Sequence, residues 1–307
     1  MRAVIQNTFG GPEVLEVVDV EKPTPKAGEV LIRVRASGLN PVDAFIRSGA
    51  FPLLGEPPFA LGWDVSGVVE QAGPETGFAV GEEVYGMPFF PAQATAYADY
   101  VVAPADQIAH KPATIDHVHA AALPLAALTA WQGLVDGAGI KPGDRVLIHR
   151  AAGGVGHLAV QIAKLRGAEV IALASEGKHE FLRGLGADEL IDYRTVDFVD
   201  AVRDVDVVFD STHQGEKSLR VLRPGGTLVT IVEHRNEELA AKARAAGFTF
   251  VGVGVGPDGA ALKEIAELVD AGKIRPVVAE TFPLAEVGKG HELLEAEQVR
   301  GKIVLTV

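Results

Sequence analysis

The chain has 307 residues, no cysteine and a formal net charge of −13 at pH 7. This length predicts about two domains, and the acidic balance, with no cluster of lysine and arginine, argues against nucleic acid and anionic membranes as partners. The lack of cysteine excludes disulfides and thiolate metal sites, and no apolar run approaches the roughly 18 residues of a membrane span. We therefore expect a cytoplasmic protein.

The first part of the chain, up to Pro112, is predicted to be rich in β-structure. A strand-like start at 2–6 is followed by short β-prone runs that glycine and proline interrupt. These runs lie at 29–36, 64–71, 82–87 and 97–102.

The composition changes after Pro112. An alanine-rich helical stretch covers 119–136, and from Arg145 onward short apolar strands alternate with helices. The predicted strands lie at 145–148, 170–173, 189–191, 207–210, 227–232 and 248–253. Such alternation predicts a parallel sheet covered on both faces. Because the final segment returns to short strands, we predict a β-rich domain at 1–121 and 275–307, with an α/β domain at 122–274 inserted into it.

One β-turn-α-β unit, at 145–175, is the most informative feature of the chain. Its glycine-rich segment AAGGVG places Ala151, Gly153 and Gly156 at the three small-residue positions of a dinucleotide-binding loop. A pyrophosphate would lie at the N-terminus of the helix that starts near Val155, where free N–H groups and the helix dipole favour an anion. We predict a nucleotide site here; the alternative is a glycine-rich turn that binds no ligand.

The end of the second strand of this unit distinguishes NADP from NAD. An NAD site usually carries an acid there, about 20 residues past the glycines, which binds the ribose 2′-OH. Ala174 and Ser175 stand at that place, and Lys178 follows. A hydroxyl and an ammonium suit a 2′-phosphate, although Glu176 is a contrary signal and Lys178 could be an ordinary surface lysine. We predict NADPH as the cofactor.

Eight segments spread over nearly the whole chain resemble a known family. They are GLNPVDAFIRSGAFP (38–52), GWDVSGVV (62–69), VGEEVYG (80–86), AYADYVV (96–102), LPLAALTAWQGL (123–134), AAGGVG (151–156), LGAD (185–188) and RGKIVL (300–305). Together they resemble the medium-chain dehydrogenase/reductase superfamily, specifically its zinc-free quinone oxidoreductase branch, which includes zeta-crystallin. The resemblance implies an α/β fold with a GroES-like β-rich catalytic domain and a Rossmann domain containing a doubly wound parallel sheet.

The same resemblance implies an NADPH-dependent, metal-free reductase of quinones or α,β-unsaturated carbonyls. Hydride addition builds negative charge on a carbonyl oxygen, and Asn40 is the implied donor to that oxygen; alternatively, Asn40 is a turn residue before Pro41. Asp43 is more suited to ordering its loop than to acting as an acid. Tyr97 is either a source of a hydroxyl or a core aromatic, and the proton could come from solvent.

Three aromatic residues complete the implied substrate site. Phe45 and Phe51 fall where some relatives carry tyrosines that touch substrate or cofactor, which indicates an apolar, stacking pocket. With Asn40 and Trp63, they form the predicted set of substrate contacts.

The resemblance also implies which residues contact the cofactor. Thr129 would lie on the nicotinamide side, Tyr193 at the adenosine end and the loop 231–235 at the nicotinamide ribose. Arg150, just ahead of the glycine loop, either contacts phosphate or points to solvent. The predicted cofactor contacts are Phe51, Thr129, Gly153, Gly154, Val155, Ser175, Lys178, Tyr193, Ser211, Ile231, Val232 and Val253.

No metal site is predicted. Relatives that use catalytic zinc hold it with a cysteine, a histidine and usually a second cysteine, and a catalytic zinc needs three protein ligands. At the corresponding places this chain has Asn40, Trp63 and, near Leu125, no residue of a ligand type.

Two alternative functions remain open at this point. One is a non-catalytic nucleotide-binding member of the branch, recruited as a structural or RNA-binding protein, which the acidic balance disfavours. The other is a zinc-type alcohol dehydrogenase, which the missing ligands disfavour. The resemblance also implies a homodimer, formed through edge pairing of the uncharged strand at 248–255.

Overall fold

The computed structural model describes residues 1–296 and 298–307. The contacts divide the chain into two compact units, one made of Met1–Leu128 with Gly256–Val307 and the other of Thr129–Val255. We refer to them as the discontinuous unit and the continuous unit. Among the described residues, no helix is both long and apolar enough to cross a membrane.

The first part of the chain is mostly strands, and strands alternate with helices from Arg145 onward. In chain order they are β1 (Arg2–Gln6), β2 (Leu15–Asp19), β3 (Glu29–Gly38), α1 (Pro41–Ser48), β4 (Phe59–Ala60), β5 (Val65–Ala72), β6 (Glu83–Gly86), β7 (Tyr100–Pro104), β8 (Ile108–His110), α2 (His117–Ala121), α3 (Pro124–Trp131), β9 (Arg145–Ile148), α4 (Gly156–Leu165), β10 (Glu169–Leu173), α5 (His179–Arg183), β11 (Glu189–Ile191), α6 (Phe198–Ala201), β12 (Val205–Asp210), α7 (Gly215–Leu219), β13 (Leu222–Thr230), α8 (Glu237–Ala245), β14 (Thr249–Gly252), α9 (Gly259–Asp270), β15 (Val278–Pro283), α10 (Val287–Glu295) and β16 (Lys302–Thr306).

The discontinuous unit is built on mostly antiparallel sheets. One has the strand order β15-β16-β3-β5-β6-β8, with β7 also paired to β3, and another has the order β2-β1-β4. The long strand β3 has the alternation that is typical of an antiparallel sheet with one buried face: Ile32 and Val34 are buried, whereas Arg33 and Arg35 are exposed. The last strand, β16, pairs with β3 near the beginning of the chain, so the two stretches of this unit share one sheet.

The continuous unit contains a parallel sheet with the strand order β11-β10-β9-β12-β13-β14. Its central strands contain the apolar runs 146–148 in β9 and 207–209 in β12, which is typical of parallel sheets covered by helices on both faces. Leu147, Ile171, Val208 and Leu228 come from four adjacent strands and share one core cluster. Strands β10 and β11 lie on one side of β9, and β12, β13 and β14 lie on its other side. This strand order is the Rossmann arrangement, and the predicted fold class is confirmed.

The alanine-rich stretch at 119–136 departs from the prediction of one helical run. It forms α2, then α3, then a π-helical turn at Gln132–Gly137. The interruption falls just before Pro124, because proline has no N–H to donate and its ring disfavours helical geometry in the residue that precedes it.

The compact units do not divide the chain where the sequence analysis placed its domain boundaries. Residues 122–128 and 256–274, predicted to lie in the α/β domain, group with the discontinuous unit. Two contacts explain this grouping: Asp64 Oδ1 accepts a hydrogen bond from Leu125 N at 2.7 Å, and Tyr85 donates its hydroxyl to Leu262 O on α9 at 2.5 Å. Since both contacts are buried, these segments complete the β-rich core.

Candidate functional site

The glycine-rich loop of the continuous unit joins β9 to α4. Gly153 N donates to Arg150 O at 2.8 Å, and Ala151 N donates to Leu173 O at 3.1 Å, which fixes the loop against the end of β10. A Cβ on Gly156 would lie 2.3 Å from Arg150 O and 2.7 Å from Ala151 Cα. Because these are main-chain atoms, only glycine allows α4 to approach the loop this closely.

The outer part of the loop fits a pyrophosphate. A Cβ on Gly153 would meet a single atom within 4 Å, Arg150 O at 3.2 Å, so the space beyond it is open. Gly154 and Val155 follow, and α4 begins at the next residue. Arg150 itself has a φ of 47°, in the left-handed region, and its side chain is exposed. The loop therefore has the close backbone approach and the helix N-terminus that a dinucleotide phosphate requires.

The residues predicted to contact the adenosine ribose lie at the ends of two neighbouring strands. Ser175 follows β10 and is mostly buried, and Lys178 N donates to Ser175 O at 2.8 Å, so both belong to one tight turn. Tyr193 follows β11, and its side chain is 57% exposed. Ala174 N donates to Ile191 O at 3.1 Å, which joins these two strand ends. The structure thus brings Ser175, Lys178 and Tyr193 to the same edge of the sheet.

A buried polar network supports the glycine loop from behind. The His149 ring, at the end of β9, lies with Nδ1 2.9 Å from Thr212 Oγ1, and Thr212 in turn donates to Asp210 Oδ1 at 2.9 Å. Ser211, predicted to contact the cofactor, donates its hydroxyl to His149 O at 3.2 Å. Burial lowers the pKa of His149 to about 4, against the raising effect of Asp210. These contacts hold the ends of β9 and β12 together at neutral pH.

The other predicted cofactor residues of this unit lie mostly inside it. Thr129 and Val253 are buried, and Ile231 and Val232 are half-buried just after β13. Val253 N donates to Thr230 O at 2.9 Å, so Val253 is held beside the end of that strand. Ile231, Val232 and Val253 directly follow strands at the carboxyl end of the sheet, which is the placement expected of a Rossmann nucleotide site.

A second candidate site lies in the discontinuous unit, where five polar side chains share the interior. We call Asn40, Asp43, Asp64, Tyr97 and Lys302 the buried polar cluster; each is at most 4% exposed. Asp43 Oδ2 accepts two hydrogen bonds of 2.7 Å, from the Tyr97 hydroxyl and from Asn40 N. The three residues that the sequence analysis named as catalytic candidates are therefore direct neighbours.

The amide of Asn40 points toward the other half of the cluster. Its Nδ2 donates to Asp64 Oδ2 at 2.9 Å, and its Oδ1 accepts a hydrogen bond from Lys302 Nζ at 2.5 Å. Asn40 lies at the N-terminus of α1, and Pro41 follows it as the first helical residue. The position is that of a turn residue, as the alternative interpretation proposed, but the side chain is committed to the buried polar cluster.

The electrostatics of the cluster separate the roles of Asp43 and Tyr97. Burial raises the pKa of Asp43 to about 7, although the hydrogen bonds from Tyr97 and Asn40 act in the other direction. Its Oδ1 is buried and has no hydrogen-bond partner among the described residues. Burial and the charge of Asp43 raise the pKa of Tyr97 well above its ordinary value. Tyr97 therefore stays protonated and donates its hydroxyl hydrogen to Asp43.

The raised pKa of Asp43 predicts a specific pH dependence of stability. Between pH 3.8, the ordinary pKa, and about pH 7, the raised pKa, the folded state binds a proton that the unfolded state has released. The contribution of Asp43 to the free energy of unfolding therefore falls as pH rises through this range. Replacing Asp43 with Asn removes the titration. The free energy of unfolding of the variant minus that of the wild type should therefore rise from pH 4 to pH 7, by up to about 4 kcal/mol.

Asp99→Asn is the matched control, with urea unfolding at several pH values as the measurement. The pKa of Asp99 is lowered, because the hydrogen bonds and charge of Arg2 outweigh its partial burial. For this control the difference should fall as pH rises toward 4, because the folded wild type releases this proton before the unfolded state does, and it should stay constant from pH 4 to pH 7. A difference for Asp43→Asn that stays flat or falls with pH would contradict the ionisation assigned to Asp43.

The predicted aromatic contacts divide into two exposed residues and one buried residue. Phe45 is 55% exposed and Phe51 is 39% exposed, and Phe51 N donates to Phe45 O at 3.0 Å, so the two are held close together. Trp63 is fully buried instead: its indole N–H donates to Ala92 O at 2.7 Å, and its ring lies edge-on to Phe90 at 5.2 Å. Phe45 and Phe51 are therefore available to an apolar ligand, and Trp63 supports the loop that contains Phe90 and Ala92.

Asp64 and Lys302 are functional candidates that the sequence analysis did not select. Both lie within segments that carried the family resemblance, but neither was assigned a role. A local signal was present, since each is a charged residue in a strand-like run: Asp64 lies between Trp63 and Val65, and Lys302 directly precedes the apolar run 303–305. Charged residues are almost never fully buried unless they are paired, so such positions indicate a buried ion pair.

The chain is similar over most of its length to known oxidoreductases. The family profile for the alcohol dehydrogenase GroES-like domain matches residues 26–113, and the profile described as zinc-binding dehydrogenase matches residues 185–305. A 2-methylene-furan-3-one reductase of Solanum lycopersicum is 36% identical, over 99% of this chain and 79% of the relative. The quinone oxidoreductase of Homo sapiens is 32% identical, over 99% and 97% of the two chains.

Solved structures show the same similarity over full lengths. The quinone oxidoreductase of Coxiella burnetii superposes with a TM-score of 0.94 at 37% identity, covering 100% of this chain and 99% of the other. The Escherichia coli quinone oxidoreductase, solved in complex with NADPH, superposes with a TM-score of 0.87 at 29% identity, and both chains are covered completely.

Proposed function

From the premise that this chain belongs to the quinone oxidoreductase branch of the medium-chain dehydrogenase/reductase superfamily and is an NAD(P)H-dependent oxidoreductase, we propose that it uses NADPH, without a metal, to reduce quinones or α,β-unsaturated carbonyls. The observation that carries the proposal is the loop in which only glycine fits at position 156, beside a turn that combines Ser175 and Lys178. The named activities of its relatives support the substrate class.

The cofactor contacts follow from the sheet edge of the continuous unit. NADPH, when bound, supplies a hydride. The main-chain N–H groups of Gly153, Gly154 and Val155 and the start of α4 would hold its pyrophosphate. The Ser175 hydroxyl and the Lys178 ammonium would bind the 2′-phosphate. Neither Ala174 nor Ser175, the first two residues after β10, is an acid that would prefer a ribose 2′-OH.

Replacing Lys178 with Ala should reduce the affinity for NADPH selectively. One charge-assisted hydrogen bond is worth about 1.5 to 3 kcal/mol, so the dissociation constant for NADPH should rise roughly tenfold to a hundredfold. NADH lacks the 2′-phosphate, and its binding should barely change. Fluorescence titration with both cofactors measures the effect, and Lys289→Ala removes an exposed lysine elsewhere as the control. Equal weakening for both cofactors, or none, would show that Lys178 is only a surface residue.

The residues of the buried polar cluster would assist the reduction electrostatically. As hydride reaches the β-carbon of an enone, the π electrons move to the carbonyl oxygen, and the α-carbon later takes a proton from solvent. A hydrogen-bond donor aimed at that oxygen stabilises the developing charge. We assign this role to Asn40, because its Nδ2 carries two hydrogens and donates to Asp64 with one of them. Phe45 and Phe51 would pack against the apolar part of the substrate.

The same cluster supports a mechanism without zinc. Lys302 places an ammonium within 2.5 Å of Asn40 Oδ1 and 3.2 Å of Asp64 Oδ2. A divalent cation beside these residues would be repelled by that charge, and an asparagine and a tryptophan are poor replacements for zinc ligands. The description of one matching family as zinc-binding therefore does not extend, in this proposal, to the present chain.

The test is NADPH oxidation with a panel of quinones, alkenals and enones, with and without a strong chelator. We expect turnover of at least one class that chelation leaves unchanged. A saturated alcohol with NADP⁺ serves as the comparison substrate for a zinc-type alcohol dehydrogenase. Chelator-sensitive oxidation of the alcohol, without reduction of the panel, would overturn the proposed function.

The protein is further proposed to be a homodimer. Strand β14 lies at the edge of the parallel sheet and pairs only with β13 among the described residues. The segment 248–255 carries no charge, and an uncharged edge strand readily pairs with another chain. Sedimentation velocity of the purified protein measures the state, and a monomer at micromolar concentration would contradict the proposal.

A further inference from the structure

Lys302 occupies a place where each hydrogen of its ammonium has its own acceptor. The side chain projects from β16 and is almost entirely buried. Nζ donates to Leu39 O at 2.8 Å, to Asn40 Oδ1 at 2.5 Å and to Asp64 Oδ2 at 3.2 Å. A buried charge is expensive unless it is paired and hydrogen-bonded, and this one is both.

Lys302 and Asp64 together allow the Asn40 amide only one orientation. An ammonium can only donate hydrogen bonds, and a carboxylate can only accept them. Oδ1 of Asn40 must therefore face Lys302, and Nδ2 must face Asp64, as observed. A rotation of 180° would place N–H groups against the ammonium and the carbonyl oxygen against the carboxylate. Both hydrogen bonds would be replaced by repulsions at low dielectric.

Asp64 is held in position independently of Lys302. Its Oδ1 accepts a hydrogen bond from Leu125 N at 2.7 Å, and its main-chain carbonyl accepts one from the Ser37 hydroxyl at 2.6 Å. The carboxylate is thus a fixed acceptor, and Lys302 is the group that draws the amide oxygen to the opposite side. A cation on the oxygen also polarises the amide, which makes the N–H groups better donors.

We propose that Lys302 is a positioning residue for the reduction: it sets the direction of the Asn40 amide, so that the second Nδ2 hydrogen is directed as a donor. This inference rests on the proposed function, in which Asn40 donates to the substrate oxygen. Lys302 itself contacts neither substrate nor cofactor in this proposal, and it acts only through Asn40.

Two neutral replacements of similar length test the inference. Lys302→Met and Lys302→Gln both remove the charge, so both leave Asp64 without its counter-ion. Only glutamine keeps a donor that can hold Asn40 Oδ1. We expect kcat to fall about tenfold or more in the Met variant. The Gln variant should regain at least half of the kcat that the Met variant loses. KM and the NADPH dissociation constant should stay within about threefold of the wild type.

Lys111→Met is the matched control for loss of a buried lysine. Lys111 lies in the same unit with its side chain 4% exposed, and it donates to Pro112 O and Ile115 O. This control should lower the melting temperature without changing kcat. If Lys302→Met does not fold, the double variant Asp64→Asn with Lys302→Met removes both buried charges, and kcat should still fall about tenfold.

The outcomes separate the inference from the proposed function. A wild-type protein that reduces none of the panel overturns the proposed function. A wild-type protein that turns over, with folded Lys302→Met or the double variant at wild-type kcat, overturns the positioning role. Equal losses of kcat in the Met and Gln variants overturn it as well, because charge or stability alone would then account for the effect.

Discussion

Replacing Gly156 with Ala should weaken NADPH binding by roughly a hundredfold and lower the thermal stability of the protein. The new Cβ would lie 2.3 Å from Arg150 O and 2.7 and 2.8 Å from two main-chain atoms of Ala151. Main-chain atoms cannot turn aside as a side chain can, so α4 and the loop must separate. Overpacking of this kind typically costs about 1 to 3 kcal/mol of stability.

The expected loss of affinity comes from the loop that the methyl group displaces. Two main-chain hydrogen bonds to phosphate, each worth about 1.5 kcal/mol, correspond to roughly a hundredfold in the dissociation constant. Gly153→Ala is the internal comparison, because its Cβ would approach only one atom, at 3.2 Å. That variant should keep its melting temperature yet bind NADPH more weakly, since the methyl group enters the space assigned to the pyrophosphate. Wild-type NADPH affinity in a folded Gly156→Ala protein would contradict the site.

Replacing Asn40 with Ala should lower kcat by about a hundredfold or more, in line with the removal of an oxyanion-hole donor. The substrate carbonyl is neutral before reaction and gains negative charge as hydride arrives, so the donor acts mainly in the transition state. The NADPH dissociation constant should stay within a few-fold of the wild-type value. Steady-state kinetics with the best substrate of the panel, together with a cofactor titration, measure both quantities.

The buried setting of Asn40 requires a control for stability. Ser66→Ala removes a buried hydrogen bond outside the buried polar cluster, from the Ser66 hydroxyl to Val84 O, and leaves the Asn40 amide untouched. It should lower the melting temperature while kcat stays unchanged. Asparagine and aspartate both suit turns, but Asn40→Asp does not test the turn interpretation, because it would place a second carboxylate 2.9 Å from Asp64 Oδ2. A stable Asn40→Ala protein with wild-type kcat would remove Asn40 from the mechanism.

The parallel sheet and its nucleotide loop could be predicted from the sequence because their signals are local. Strands β9 and β10 contain the apolar runs 146–148 and 170–173, and the small residues of the loop have fixed spacing. The predicted start of α4, near Val155, lies within one residue of the observed start at Gly156. Period, spacing and turn chemistry all act over a few residues, so one sequence is sufficient to recognise them.

The buried polar cluster could not be predicted in this way. The contact between Asp64 and Lys302 joins residues 238 positions apart, and the contact between Tyr97 and Asp43 joins residues 54 positions apart. No local pattern encodes such pairs, because they depend on which strands become neighbours. The family resemblance indicated Asn40, Asp43 and Tyr97 separately, but it did not indicate that the Tyr97 hydroxyl donates a hydrogen bond to Asp43.

The origin of Lys302 in β16, the last strand of the chain, has a consequence for biosynthesis. Asp43 and Asp64 are synthesised before the continuous unit, whereas their cationic neighbour Lys302 is synthesised after it. Until β16 adds to β3, the nascent discontinuous unit contains acidic groups that lack this partner and is expected to stay open. The continuous unit, 129–255, needs no later segment for its own sheet. We therefore expect the continuous unit to complete its folding during translation before the discontinuous unit does.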